Sequence, residues 1–168
     1  MGSEFAARLS GRVRLTTVLG TVALLLECAL MALLSFFTPQ PVAAVFRTVA
    51  VLIALLFVGI FLVAVRGYRI ERGVLRVERP FWSTTHSIAG LQSALRDPAA
   101  LRWTALGFGN NGLFALNGWR KVAPYGWCRV LATDPANAVV LRTPQATYIV
   151  TPDRPDEFVQ QAQLLAGP

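Results

Sequence analysis

Residues 15–37, LTTVLGTVALLLECALMALLSFF, and residues 42–65, VAAVFRTVAVLIALLFVGIFLVAV, decide how the rest of the chain reads. At a helical rise of about 1.5 Å per residue each run is roughly 33–36 Å long, enough to cross a hydrocarbon core of about 30 Å with some tilt. In lipid a helix satisfies its own backbone polar groups, so two spanning helices are the economical solution. The connector, Thr38-Pro39-Gln40-Pro41, reverses the chain and carries no charge. Its prolines sit where no helical N–H is needed. The first run exceeds a signal-peptide core of about 7–15 residues, and a second run follows it at once, so spanning helices are expected rather than an ordinary cleaved leader.

Arginines flank the hairpin on both outer sides: Arg8, Arg12 and Arg14 before it, Arg66, Arg69 and Arg72 after it. Positive flanks stay cytoplasmic, so both termini are expected inside and the connector outside. The net charge is +7, and nearly all of the positive charge is arginine, with Lys121 the single lysine. Beside a membrane such an excess points to topology and anionic headgroups. No basic block interleaved with aromatics argues for nucleic acid, and none is expected as a partner.

Residues 1–5 resemble a cloning scar and are set aside, leaving 6–65 as basic lead and hairpin and 66–168 as a cytoplasmic domain large enough for its own core. Within the hairpin Glu27 stands near mid-span, and an ionisable group there is expensive and functional by default. Arg47 is its obvious partner, although it lies roughly 7–8 Å nearer the outer surface. Small residues at Gly20, Ala23, Ala29 and Ala32 allow close helix packing.

After residue 65 continuous apolar sequence gives way to alternation. Tyr68 and Ile70 oppose Arg69 and Glu71, Arg72-Gly73 makes a turn, and Leu75 and Val77 alternate with Arg76 and Glu78. That is a β-hairpin with Gly73 at positive φ. Residues 81–88 predict a third strand, and 127–133, 138–143 and 147–151 three more, for six or seven in all. Residues 98–103 carry a weak helical signal. Gly107, Gly109 and Gly112 match the spacing of a dinucleotide fingerprint, but strand-and-turn residues follow where a helix would have to open. The glycines are expected to serve turns. At the end, Thr151-Pro152-Asp153-Arg154-Pro155-Asp156 starts a helix whose buried face carries Phe158, Ala162 and Leu165, with Val159 beside them and Gly167 as its stop.

A β-rich module closed by one amphipathic helix, together with Gly67-Tyr68-Arg69-Ile70, the Arg102 to Phe114 stretch and Tyr148-Ile149-Val150-Thr151-Pro152 leading to Phe158-Val159, resembles the bacterial pleckstrin-homology-like (PH-like) domains found behind transmembrane helices. The resemblance covers 66–166. It implies a membrane protein of α+β class: a two-helix transmembrane hairpin followed by a mostly-β split barrel of two sheets capped by a C-terminal helix. It also implies a bacterial inner-membrane protein with a tendency to oligomerise. It supplies no function, since the fold is a scaffold for many uses.

No catalytic constellation assembles on paper. His86 is the only histidine, Cys128 follows Trp127 in a core-like strand, and Cys28 is in a span where Cys128 cannot meet it. Neither a metal nor a cofactor is expected, and the protein reads as no enzyme. Arg66, Arg69, Arg72, Arg76 and Arg79 leave the bilayer directly and are candidate contacts for anionic lipid. Phe81, Trp82, Trp103, Trp119 and Trp127 are expected mostly in the core. The reading is a membrane-anchored binding or scaffolding module, touching a protein partner or anionic headgroups. The alternative is an oligomeric transport or channel component that uses Glu27.

Overall fold

The computed structural model describes residues 4–102 and 104–166. The expectations placed on Trp103, on Gly167 and on the side chain of Leu165 lie outside the described residues. Helix α1 runs Gly11–Phe37 and α2 Val42–Leu62. The first helix begins before the apolar run because Ser10 caps it, its Oγ accepting from the Val13 amide at 3.3 Å. The second stops at Leu62, earlier than expected, and Ala64 and Val65 pass into the buried part of the β-domain. Thr16, Thr17, Thr21 and Thr48 each donate to the carbonyl four residues back, so their hydroxyls are satisfied inside their own helix. Leucines and valines are exposed around both helices. The two helices are long and apolar enough to cross a membrane by length and composition.

The first sheet holds β1 (Glu4–Ala6), β2 (Gly67–Glu71), β3 (Val74–Glu78) and β4 (Ser83–Ser87) in that order, all antiparallel. The β2–β3 turn has positive φ at both Arg72 and Gly73, the pairing that matches strand twist in a two-residue hairpin. Strand β1 takes into the sheet Glu4 and Phe5, which the sequence reading set aside with residues 1–3. Phe5 pairs with Tyr68, is 3% exposed, and meets the Phe158 ring edge-on at 5.0 Å. Ala6 adds a reciprocal clasp, donating to Asp153 Oδ1 at 3.1 Å while its carbonyl accepts from the Asp153 amide at 2.9 Å. Without β1, the outer edge of β2 would be left open.

The second sheet holds β5 (Ser93–Arg96), β6 (Thr104–Asn111), β7 (Leu116–Val122), β8 (Gly126–Ala132), β9 (Val139–Arg142) and β10 (Thr147–Val150), in the order β5-β9-β10-β8-β7-β6. Only β8 and β10 run parallel among these pairs, because the 3-10 turn Pro135–Asn137 and β9 intervene between them. Ten strands are described against the six or seven expected; β1, the four-residue β5 and the β6–β7 pair lie outside the six ranges read from the sequence. Residues 98–102 form turns rather than a helix.

The glycine spacing finds its explanation in β6 and β7. Gly109 and Gly118 face each other across the pair with φ of 135° and 151°. A Cβ on Gly109 would run into the Asn117 carbonyl, and one on Gly118 into that of Phe108. A strand–turn–strand therefore occupies the place where a nucleotide fingerprint requires strand–turn–helix.

Helix α3 (Pro155–Ala166) closes the domain with Phe158 and Ala162 fully buried, and with Asp156 and Glu157 in the first turn, where the macrodipole favours them. One core lies between the sheets under α3 and includes Ile70, Leu75, Leu131 and Leu141. A second lies on the other face of the large sheet, around Val122, Val130, Val140 and Ile149. Tyr68 crosses the first core. Its hydroxyl donates to the Leu131 carbonyl at 2.6 Å and accepts from the Thr151 amide at 3.3 Å, and burial pushes its pKa up to about 12.

Truncating Phe5 to Ala should destabilise the detergent-solubilised protein by about 3 kcal/mol, because a buried aromatic is lost on both its sheet and its helix contacts. Thermal unfolding measures it. An unchanged midpoint would mean that β1 is not part of the folded domain.

Candidate functional site

The last carbonyls of a helix have no partner inside it. At the end of α2 they are met by side chains of the β-domain. Trp82 Nε1 donates to the Leu62 carbonyl at 3.0 Å. Arg79 Nη1 and Asn117 Nδ2, the latter at 3.3 Å, both donate to the Val63 carbonyl. The Arg79 guanidinium also lies 5.6 Å from the centre of the Trp82 ring, a cation–π placement. A cation at a helix C-terminus is favoured by the macrodipole. Arg79 is 7% exposed, and burial, with Arg129 nearby, moves its pKa down from the ordinary arginine value.

The β6–β7 tip makes the second contact with the hairpin. Asn110 shapes it, its side chain donating to the Leu113 carbonyl and accepting from the Leu113 amide at 3.1 Å. The Phe114 amide donates to Thr17 Oγ1 at 2.9 Å, and the Phe114 ring meets Phe57 and Phe61 edge-on, each at 5.3 Å. Leu113 lies over Gly20, where a Cβ would come within 2.5 Å of Leu113 Cδ1. Gly20 therefore admits the loop. A third contact ties the start of α1, where the Ser10 amide donates to the Thr133 carbonyl at 3.1 Å.

The five arginines expected as one lipid patch do not form one. Arg79 is committed to the end of α2. Arg69 pairs with Glu4 and, at 3.5 Å, with Glu71. Arg66 is exposed at the start of β2, Arg72 lies in the far turn, and Arg76 is half-buried opposite Arg69. Glu27 and Arg47 are likewise not brought together. Glu27 is exposed on the hairpin surface, Arg47 Nε donates to Ser35 Oγ at 3.5 Å, and no ion pair joins the two among the described residues.

His86 belongs to β4 of the smaller sheet and Cys128 to β8 of the larger one, and the larger sheet separates them. The His86 ring is 5.3 Å from Tyr148 on the side of the first core, whereas Cys128 is buried in the second, where desolvation pushes its thiol up to about 11. Among the described residues no group of His, Cys, Asp and Glu could hold a metal ion. The aromatics depart from expectation as well: Phe81, Trp82, Trp119 and Trp127 are exposed, as is Phe108. Trp82, Asn117 and the Leu113-Phe114 tip carry the joint, and sequence reading missed their role. The one signal available was the pair Phe81-Trp82 following Pro80, an apolar dipeptide in an otherwise polar turn.

Replacing Arg79 with Met keeps its bulk but leaves the Val63 carbonyl short of a charged donor, and should destabilise the protein by about 2 kcal/mol. A thermal midpoint equal to wild type would show that the contact contributes nothing. For His86, desolvation first and then Arg129 and Arg79 lower the pKa from 6.5. The folded state therefore resists protonation, and stability present above pH 6.5 is lost as pH falls below it. His86→Gln should flatten the decline of the thermal midpoint between about pH 7 and 5, and an unchanged slope would contradict that coupling.

No curated protein and no solved structure matches the chain. The bacterial PH domain family matches residues 66–165, from the first residues after the hairpin almost to the end of α3. That span is more than half of the chain, and it takes in both sheets apart from β1, together with the closing helix. The chain therefore belongs to the bacterial PH domain family, here carried behind two long apolar helices.

Proposed function

We propose that the protein is a membrane-anchored, non-catalytic binding and scaffolding module, held on the cytoplasmic face of a bacterial inner membrane with both termini inside. The observation that carries this reading is the joint. A domain on a flexible tether has no use for three side chains on the carbonyls of its anchor helix, or for a loop packed among that helix's phenylalanines. With the domain so fixed, one side faces the bilayer and the rest is presented at constant height. Orientation follows from the arginine flanks. Phe81 and Trp82, exposed beside the end of α2, then stand at interfacial depth, where aromatic rings are favoured. Phe108, Trp119 and Trp127 are exposed on the large sheet and offer surface to a protein partner.

Single cysteines in a Cys28→Ala, Cys128→Ala background test the arrangement. Gln40→Cys should react with a membrane-impermeant maleimide in spheroplasts, and Ser87→Cys only in inverted vesicles. The reverse pattern would overturn the topology.

A second reading, an oligomeric transport or channel component built on Glu27, is favoured by one observation. Glu27 is exposed on the outside of the hairpin and has no ion pair among the described residues, so in a bilayer it would face lipid unless another copy covered it. Native mass spectrometry of the protein in detergent decides. A multimer that Glu27→Leu dissolves supports it, and a monomer removes it.

A further inference from the structure

The smaller sheet has four strands and the larger six, and part of the face that carries the first core is left open. Side chains two residues apart on a strand share a face. Leu131 belongs to the first core, so Arg129 and Trp127 of β8 lie on its side of the sheet. Directly opposite residues on neighbouring strands share a face too. Trp119 of β7 pairs with Arg129, Phe108 of β6 pairs with Trp119, and Lys121 pairs with Trp127. The core face therefore continues outward as Trp127, Trp119 and Phe108, all exposed, with Arg129 and Lys121 between them. Large aromatic side chains exposed together on one face mark an interaction surface.

Strand β4 marks where the cover stops. It is the last strand of the smaller sheet, and its His86 ring lies 5.3 Å from Tyr148, which pairs with Arg129. Among the described residues its outer edge has no strand partner. The Ile88 amide donates to the Gly73 carbonyl and the Arg79 amide to the Trp82 carbonyl, each at 2.8 Å. Those bonds set the phase of the ladder: Thr84 and His86 face β3, while Ser83, Thr85 and Ser87 turn their N–H and C=O groups outward. The edge carries neither proline nor a charged residue, the usual guards against further pairing. Charge beside it is of one sign. Arg129 lies 5.7 Å from the centre of the Trp119 ring and forms no ion pair among the described residues. Its buried Nε and the Nε2 of His86 have no hydrogen-bond partner there. Burial first, then Arg129 and Arg79, lowers the His86 pKa, which places both guanidiniums near that ring. No Asp or Glu occurs in β4, β6, β7 or β8.

We propose that an extended, acidic segment of a partner protein adds to the free edge of β4 as a further strand. Its inward side chains rest on Trp119, Trp127 and Phe108, and its carboxylates meet Arg129 and Lys121. Main-chain bonds along an edge supply affinity, and alternate side chains supply specificity. A second copy of the chain fits less well, because its matching face brings the same cations and its β4 has no acid to answer them. A nucleic acid would use the aromatics and the cations but leave the main-chain groups of the edge unmet. The inference rests on the reading of the domain as a binding module and adds the chemistry of its partner.

The full-length protein in a neutral detergent is titrated with short fluorescein-labelled peptides in which glutamate alternates with valine, leucine or phenylalanine, and binding is read by fluorescence anisotropy. The best of them should bind about tenfold or more tightly than its counterpart with lysine in place of glutamate. Arg129→Gln should weaken that binding about tenfold. Arg142→Gln removes the same charge from the second-core side of β9 and should leave binding unchanged. Thr85→Pro deletes an outward N–H and no ladder bond, so binding should fall while the thermal midpoint holds. Methylating alternate backbone nitrogens of the peptide tests the same bonds with the protein untouched, and should abolish binding. Equal affinity for the glutamate and lysine peptides, equal loss in Arg129→Gln and Arg142→Gln, or undiminished binding of the methylated peptide overturns the proposal. Tighter binding of an oligothymidylate than of any peptide overturns the partner's class. A failure here leaves the maleimide labelling result standing, and an inverted labelling pattern leaves the peptide titration interpretable.

Discussion

The rest of the structure depends on how the chain leaves α2. A helix end exposes carbonyls that must find donors, and at Leu62 and Val63 the donors are an indole, a guanidinium and an amide from two separate elements of the β-domain. The turn after β3 supplies Arg79 and Trp82, and β7 supplies Asn117. Those groups can reach the helix only if both sheets stand directly on the hairpin. The domain is consequently not an independent body hung from an anchor. Strand β2 of its smaller sheet begins at Gly67, a few residues past the last helical turn, and both sheets contribute to the helix cap.

The same logic explains which arginines are available. In a strand, successive side chains face opposite ways, so a run of arginines in a β-hairpin does not make a patch. Arg69 and Arg76 share a face as partners across β2 and β3, and there Arg69 is balanced by Glu4 and Glu71. Arg79, at the end of that run, is consumed by the helix. Arg12, Arg102 and Arg120, far apart in sequence, line one cavity only because the β6–β7 hairpin leans on α1.

Much of the architecture was legible in the sequence. Continuous apolar runs marked the hairpin, period-two alternation marked β2 and β3, and capping residues marked α3, because each is a local pattern with a local cause. What escaped was non-local. Strand β1 is three residues long, and no periodicity distinguishes it; its place is set by the open edge of β2 and by the Phe158 ring. Exposed tryptophans read as core because composition carries no information about which face a strand buries. The glycines of β6 read correctly as structural. However, the need for Gly109 and Gly118 comes from each other across the strand pair, which the spacing alone did not show.

The two ends of the hairpin are also joined to each other through the domain. The Ser10 amide at the head of α1 holds the Thr133 carbonyl, and the Thr133 amide donates to Thr151 Oγ1 at 2.8 Å. The Thr151 amide in turn donates to the Tyr68 hydroxyl, which lies in β2 just after α2. Thr133, Thr151 and Tyr68 are all buried, so each of these bonds is made where an unmet polar group would cost about 1–3 kcal/mol. A rotation of one helix against the other would have to break that chain or strain it. The hairpin is therefore held at both feet by one buried network. In this protein the PH-like fold serves as the base plate of its own helical hairpin.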